Sequence, residues 1–433
     1  MLSFPSLGRP PGPRKPSRDL EGRLLALLLL FPAALPARDW PEFRGPTGQG
    51  IAAGSDLPIE WSAEKNVIWK VPVPGHGWSS PVAGGGRIYL TSGIGEGASA
   101  PSLQTLCFDS ATGKLLWSTE VFSPSETSAG PLHKKNSPAS PTPILTDQRL
   151  FVHFGPHGTA CLDLAGRILW RNRDLGYNPV HGAGGSPALV GNRLIFTADG
   201  ARDPAVVALE ADSGRLAWKT ARTVVPKQPF SFSTPLLITV SGRAQLVAPG
   251  SGAVVAYDPE DGRELWHVRY GTGYSVIPRP IHAHGLVFIA SGFMKPDLLA
   301  VRPDGVGDVT DSHVAWRTSR NAPLTPSLVA VGDEVYAVSD PGIATCFDAR
   351  TGKVHWEERV EPNHSASPLA AGGRLYFQSE AGITTVVRAG PKFERLAVNR
   401  LGERTFASIA VTGTHLLIRS EHHLFRIGAS AGE

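Results

Sequence analysis

The chain has 433 residues, 41% of them hydrophobic, with 42 Lys and Arg against 38 Asp and Glu. Gly (48) and Pro (38) are abundant and Met (2) is rare, which suits many turns between short strands better than long helices. The three Cys form no adjacent pair, no C-x-x-C and no C-x-x-C-H, so thiol redox and haem-attachment chemistry lack their ligands, and no basic stripe marks a nucleic-acid binder.

Residues 1–37 read as a secretory signal. Arg14, Lys15, Arg18 and Arg23 form its basic part, Leu24 to Phe31 its apolar part, and small residues follow. The eight-residue apolar run is far short of the ~20 residues of a spanning helix; a retained anchor or a buried helix is the alternative reading. This segment holds five basic and two acidic residues, leaving 37 and 36 beyond it, so the basic balance belongs partly to the leader. No Cys follows the apolar run, so no lipid anchor is expected. The expected location is periplasmic or extracellular, in a bacterium.

Residues 38–65, "RDWPEFRGPTGQGIAAGSDLPIEW" and its flanks, read as an irregular N-terminal arm. Beyond them the chain repeats itself. Trp69, Trp117, Trp170, Trp218, Trp266, Trp316 and Trp356 recur at intervals of 48, 53, 48, 48, 50 and 40 residues, a period that indicates a propeller or solenoid. Each unit opens on a Ser/Thr-Pro pair or similar, near Ser80, Ser140, Ser186, Thr234, Arg279, Thr325 and Ser367. An apolar strand, a Gly turn and two further strands follow. Then comes D-x-x-[TSD]-G, as at Asp109 to Gly113, Asp258 to Gly262 and Asp348 to Gly352, and a fourth strand ending in Trp. The Asp bonds its own turn and the Gly takes the positive φ of a bulged hairpin. Four short antiparallel strands make one propeller blade. An eighth unit, residues 407–428, supplies only three strands. "NVIWKVPV", residues 66–73, is expected to complete it and close the ring, which removes open sheet edges. The prediction is an all-β, eight-bladed propeller over residues 66–428, with a tail at 429–433.

Aligned on this repeat, Cys107, Cys161 and Cys346 share one position with Ala208, Ala256 and Ala300. The position wants a small apolar side chain, and buried free Cys acts as one.

The motif [AV]-x-D-x-x-T-G-x-x-x-W, closely copied in "YDPEDGRELW" and "FDARTGKVHW", resembles the repeat of quinoprotein-type propellers, named for pyrroloquinoline quinone (PQQ). The arm beginning "DWPEFRGPTGQG" is similar to the start of a group of secreted bacterial propellers with this repeat. The resemblance covers nearly the whole mature chain and implies the fold. It also links the chain to PQQ-dependent alcohol and sugar dehydrogenases, and to the lipoprotein that assists outer-membrane β-barrel assembly. The dehydrogenase pattern implies a disulfide of adjacent cysteines and a calcium site, and Ca²⁺ takes six to eight oxygen ligands. This sequence has no such pair, and nothing marks Asp199, Asp203 or Asp340 as a ligand set. No cofactor is therefore expected.

Segments joining one blade's outer strand to the next blade's inner strand emerge on one face and converge on the axis. They carry His76, Trp78, His133, Lys134, Lys135, Asn136, Tyr177, Asn178, His181, Phe230, Phe232, Tyr274, Arg279, Asn321, Asn363 and His364. Polar and aromatic groups around a concave mouth are the usual form of a binding site, and any one of them could instead hold loop backbone or water. Lys134 and Lys135 could meet an anion or simply form a solvated loop. His422 and His423 alternate across their strand and cannot share a metal. The expectation is a monomeric, non-catalytic binding or assembly scaffold that engages a protein partner or small ligand at this face. A PQQ-dependent dehydrogenase and a small-molecule or glycan binder are the alternatives.

Overall fold

The computed structural model describes Gly12 and residues 40–428, apart from 55, 96–99 and 128–131. The expected signal segment and the tail at 429–433 lie outside the described residues. The described residues from Trp40 onward group into one compact unit.

Among the described residues, regular structure is all strand except for one three-residue turn of 3-10 helix at Gly155–His157. The strands form eight sheets, each built on four antiparallel strands. Blade 1 is Val82–Gly84, Arg87–Ile94, Ser102–Asp109 and Leu115–Phe122. Blade 8 joins Ala410–Thr412, His415–Arg419 and His423–Ile427 to Val67–Pro72, with Lys70 opposite Phe425 and Val71 opposite Leu424. The ring is thus closed by the N-terminal strand, as the missing fourth strand of the last repeat requires. Each blade's second and third strands are covered on both faces by neighbouring blades, so they are apolar runs, as in Leu286–Ala290. The outer strands alternate, as in Leu216–Ala221, because only one of their faces is covered. The core lies between blades: Val82 and Tyr89 of blade 1 pack with Leu150 and Val152 of blade 2.

The tryptophans latch each blade to the next. Trp69, Trp117, Trp170, Trp218, Trp316 and Trp356 each donate their indole N–H to a backbone carbonyl in the following blade's turn, at Ser110, Leu164, Ala211, Pro259, Ala349 and Gly390. The ring lies flat on that turn. At Gly113, with φ +73°, an added Cβ would stand 2.9 Å from the Trp69 ring, so closeness and conformation both demand glycine; Gly262 and Gly352 meet Trp218 and Trp316 in the same way. The Asp109 and Asp348 carboxylates accept from the Thr112 and Thr351 amides at 2.8 Å, and Asp258 accepts from Glu260 at 3.1 Å. The Thr112 and Thr351 hydroxyls, bonded to the same carboxylates at 2.7 and 2.6 Å, and then these amides hold the Asp109 and Asp348 carboxyls below the usual range. Trp266 departs from the pattern. Blade 5 carries an insertion whose Gly307–Asp308 adds in parallel to blade 4, opposite Trp266 and His267. Trp266 is consequently fully buried and donates to Gln245 of its own blade.

Cys107, Cys161 and Cys346 stand opposite Trp117, Trp170 and Trp356, where Ala208, Ala256 and Ala300 face Trp218, Trp266 and Trp316. All three are free and buried, and burial pushes each thiol up to about 12.

A second set of bonds runs round the channel. The backbone N–H of Ser80 donates to the Thr142 hydroxyl, Thr142 to Ser186, and Ser186 to Thr234. Arg279 donates to Ser327, Ser327 to Ser367, Ser367 to Ser408, and Ser408 back to Ser80. All seven bonds measure 2.9–3.1 Å. Each links one blade's opening residue to the next blade's. The ring positions in blades 2 and 6 are Thr142 and Ser327, two residues beyond the expected Ser140 and Thr325.

Only the junction of Thr234 with Arg279 lacks a hydroxyl, and there the arm is seated. Trp40 bridges Ala83 of blade 1 in both directions, at 2.9 and 3.0 Å, and Pro41 accepts from Leu145 of blade 2. The chain then crosses the axis. Arg279 donates to the Phe43 and Pro235 carbonyls at 2.6 and 3.1 Å and meets the Glu42 carboxylate at 3.4 Å. Gly48 lies against that guanidinium, where an added Cβ would be 2.4 Å from Nη1. Gln49 accepts from His282 of blade 5, Gly50 from Ala370 of blade 7, and Ile51–Ala52 adds in parallel to Leu369–Ala371. The arm therefore spans the channel below the hydroxyl ring.

Two histidines are buried without a carboxylate partner at hydrogen-bond distance. His153 contacts the Thr159 hydroxyl at 2.8 Å and the Tyr177 hydroxyl at 3.2 Å, and burial lowers it to about 3. His364 is lowered to about 4, again chiefly by burial.

Ser367→Ala removes the acceptor of a buried N–H and should cost about 1–3 kcal/mol, whereas exposed Ser319→Ala should cost almost nothing. Thermal unfolding of both variants tests this, and equal melting temperatures would count against the ring. Unfolded histidines take protons near pH 6.5, while His364 stays neutral in the fold to about pH 4. Its stabilising contribution is full above pH 6.5 and is lost as pH falls towards 4. The melting temperature should therefore fall more steeply with acidification in the parent than in His364→Gln, and parallel curves would contradict the assignment.

Candidate functional site

A cavity of about 720 Å³ opens at the channel mouth. Its floor is the ring of hydroxyls, Ser80, Thr142, Ser186, Thr234, Ser327, Ser367 and Ser408, with Phe43 of the arm. Each hydroxyl already accepts one backbone N–H, which leaves its own proton and a second lone pair.

One wall is an aromatic arc across blades 2 to 5. Ring centroids step 5.6 Å from His133 to His181, 5.3 Å to Phe230, 5.5 Å to Tyr274 and 5.6 Å to Phe293. Phe232 backs it, 6.1 Å from His181. Facing this arc stand Trp78 and Phe406, 4.7 Å apart. Backbone bonds fix the arc: Tyr274 accepts from the Phe293 amide at 2.8 Å, and Ser275 donates to Phe230 at 3.0 Å.

The remaining wall is polar and internally satisfied. Lys135 reaches across the mouth to Glu380 at 2.8 Å and Asp340 at 3.6 Å. Asp340 also accepts from the Leu324 and Thr325 amides and the Thr325 hydroxyl, at 2.7–3.1 Å. The Asn136 side chain donates to the His181 carbonyl at 2.8 Å, tying the first long loop to the second. Burial first, then the charges of His181, Lys134 and Lys135, lower the His133 pKa, so its imidazole is neutral at pH 7.

The structure brings Trp78, His133, Lys135, Asn136, His181, Phe230, Phe232 and Tyr274 together on this cavity. It places the other expected residues elsewhere. His76 sits behind Trp78, edge-on at 5.2 Å, with its backbone bridged to Gly93. Lys134 is exposed outside the cavity. Asn178 lines a smaller cavity of about 490 Å³ beside Arg202 and Asp203. Tyr177 is taken up by His153. Arg279 is buried as the clasp of the arm rather than facing a ligand. Asn321 turns to Glu357 and Thr345, Asn363 forms a positive-φ turn, and His364 is fully buried. Sequence reasoning missed Phe43, Phe293 and Phe406, and weighed Asp340 only as a metal ligand. Phe293 and Asp340 lie in loops joining second to third strands, which share this face. Phe43 could be reached only by knowing that the arm crosses the channel.

PQQ carries three carboxylates and is held with Ca²⁺ in the dehydrogenases that the repeat resembles. The residues here do not fit that group. The one cationic lysine of the lining is engaged by Asp340 and Glu380, and Asp340 is engaged by two amides and a hydroxyl. Among the described residues no cluster of three His, Cys, Asp or Glu could hold a metal ion.

The sequence matches the family model described as outer membrane protein assembly factor BamB over residues 104–293 and 306–391, and the break falls in the irregular part of blade 5. A comparison with curated proteins finds no match. Among solved structures, BamB from Moraxella catarrhalis is 13% identical with a TM-score of 0.61, covering 85% of this chain and 98% of that one. Quinohemoprotein alcohol dehydrogenase from Comamonas testosteroni is 11% identical with a TM-score of 0.66, covering 92% and 82%. At these identities the two structures share the fold with this chain. With well over half of its length matched by the family model and its eight blades closed by Val67–Pro72, the chain belongs to the BamB family of PQQ-like β-propellers.

Proposed function

We propose that the protein is an exported, non-catalytic binding propeller that holds its ligand in the mouth cavity. The observation that carries this is the pairing, in one concave site, of a continuous aromatic wall with a floor of hydroxyls that retain their donor protons. A well-formed cavity of this size with a few convergent polar groups is the ordinary form of a small-molecule site. The non-catalytic part rests on the acid–base groups of the lining. Asp340 and Lys135 are engaged in structural bonds, and Ser140 is bonded to Ser137 and Asn136 with no base beside it. Export rests on the basic, apolar and small residues in succession over 14–37.

A protein partner at the same face is the second reading. Leu132, Phe293 and Met294 are exposed around the mouth, and Met294 has a positive φ of 87° that a non-glycine residue rarely adopts.

Native mass spectrometry after incubation with a periplasmic small-molecule extract tests the first reading. The parent should carry a small adduct, and Ile277→Trp, which fills the cavity from its half-exposed lining, should not. No adduct, or the same adduct on both proteins, would overturn it.

A further inference from the structure

We infer that the ligand is the terminal portion of a neutral oligosaccharide. This deepens the binding reading above and depends on it.

The chemistry of the floor sets the first condition. Seven hydroxyls in a ring, each already accepting an amide proton, present donors and remaining lone pairs to whatever displaces water. A purely apolar occupant would leave those donors unpaired, which is costly in a desolvated site. A polyol answers donor and acceptor alike.

Charge sets the second condition. Lys135 is neutralised by Glu380 and Asp340, and His133 is held in its neutral form. A phosphate, a uronate or a tricarboxylate would find no unpaired lysine or arginine in this lining, so the occupant inferred is uncharged.

The wall sets the third. His181, Phe230, Tyr274 and Phe293 make an arc of ring faces and edges opposite the polar side. A pyranose has apolar C–H faces and a hydroxylated rim, so it can lie on such rings while its edge meets the floor.

The arm sets the fourth. Residues 40–52 cross the channel beneath the hydroxyl ring, and Phe43 forms part of the floor. A glycan chain cannot thread the propeller. It enters by its end, and the closed floor reads the terminal sugars.

Isothermal titration of the mature chain with cellotetraose, maltotetraose, xylotetraose and tetra-N-acetylchitotetraose tests this, with a tetragalacturonate as the charged comparator. At least one neutral tetrasaccharide should bind with one-to-one stoichiometry, and the galacturonate should not. Phe293→Ala, at a half-exposed position whose loss leaves the core intact, should weaken the binding about tenfold, the size of one stacking contact. The bound sugar blocked at both termini should no longer bind. Binding of the doubly blocked chain would overturn end-on entry. Silence of all four neutral sugars, with the Ile277→Trp-sensitive adduct still present, would overturn the sugar assignment and leave the cavity reading standing. Silence of both would remove the two together.

Discussion

The structure turns on a hydrogen bond repeated seven times: the amide of one blade's opening residue donating to the hydroxyl of the next blade's. Blades converge at the axis, where inner strands have free edges and backbone groups that need partners. A Ser or Thr there satisfies a neighbour's amide without spanning the full sheet-to-sheet gap with backbone. In six of the eight blades the next residue is Pro, which has no N–H to satisfy. The bond that fastens the ring also turns the remaining hydroxyl valences into the channel, so closure and the polar floor of the cavity have one cause.

The exception explains the arm. Blade 5 has Arg279 where the others have Ser or Thr, and its guanidinium reaches Pro235 within the ring and Phe43 and Glu42 on the arm. A second buried guanidinium, Arg44, donates to the Gln49 and Leu328 carbonyls, and its pKa falls to about 9 through burial and the nearby Arg279. Arg44 thus sits near a second cation, and only Arg279 meets the Glu42 carboxylate, whose own pKa burial raises despite Arg279. Charges placed this way cost desolvation and are held by carbonyls rather than by mutual attraction. They fix the course of the arm across the axis instead of adding much stability, and that course makes the mouth a closed cup.

Features set by neighbouring residues were legible in the sequence. The Trp period, the Asp turn with its positive-φ Gly and the small residue opposite each Trp follow from short spacings, and the completion of blade 8 by Val67–Pro72 follows from counting the repeat. The ring register was harder, because "SPTP" and "TPS" offer two hydroxyls each and only the pleat chooses Thr142 and Ser327. Trp266 broke the pattern because of an insertion forty residues downstream. In the site, residues on loops between blades were found as a group, but which of them face inward depends on contacts across the ring. Lys135 looked like a free cation until Asp340 and Glu380, more than 200 residues away, were placed opposite it. Arg279 looked like a ligand group until the arm crossed to meet it.

The deciding observation is where a bound sugar lies. A crystal structure of the mature chain with the tightest-binding neutral tetrasaccharide would show it. The prediction is density for the terminal sugar over Phe43, its hydroxyls on Ser327, Ser367 or Ser408 and its face on Phe230 or Tyr274. Density confined to the outer loops, or a chain passing through the position of Phe43, would contradict it.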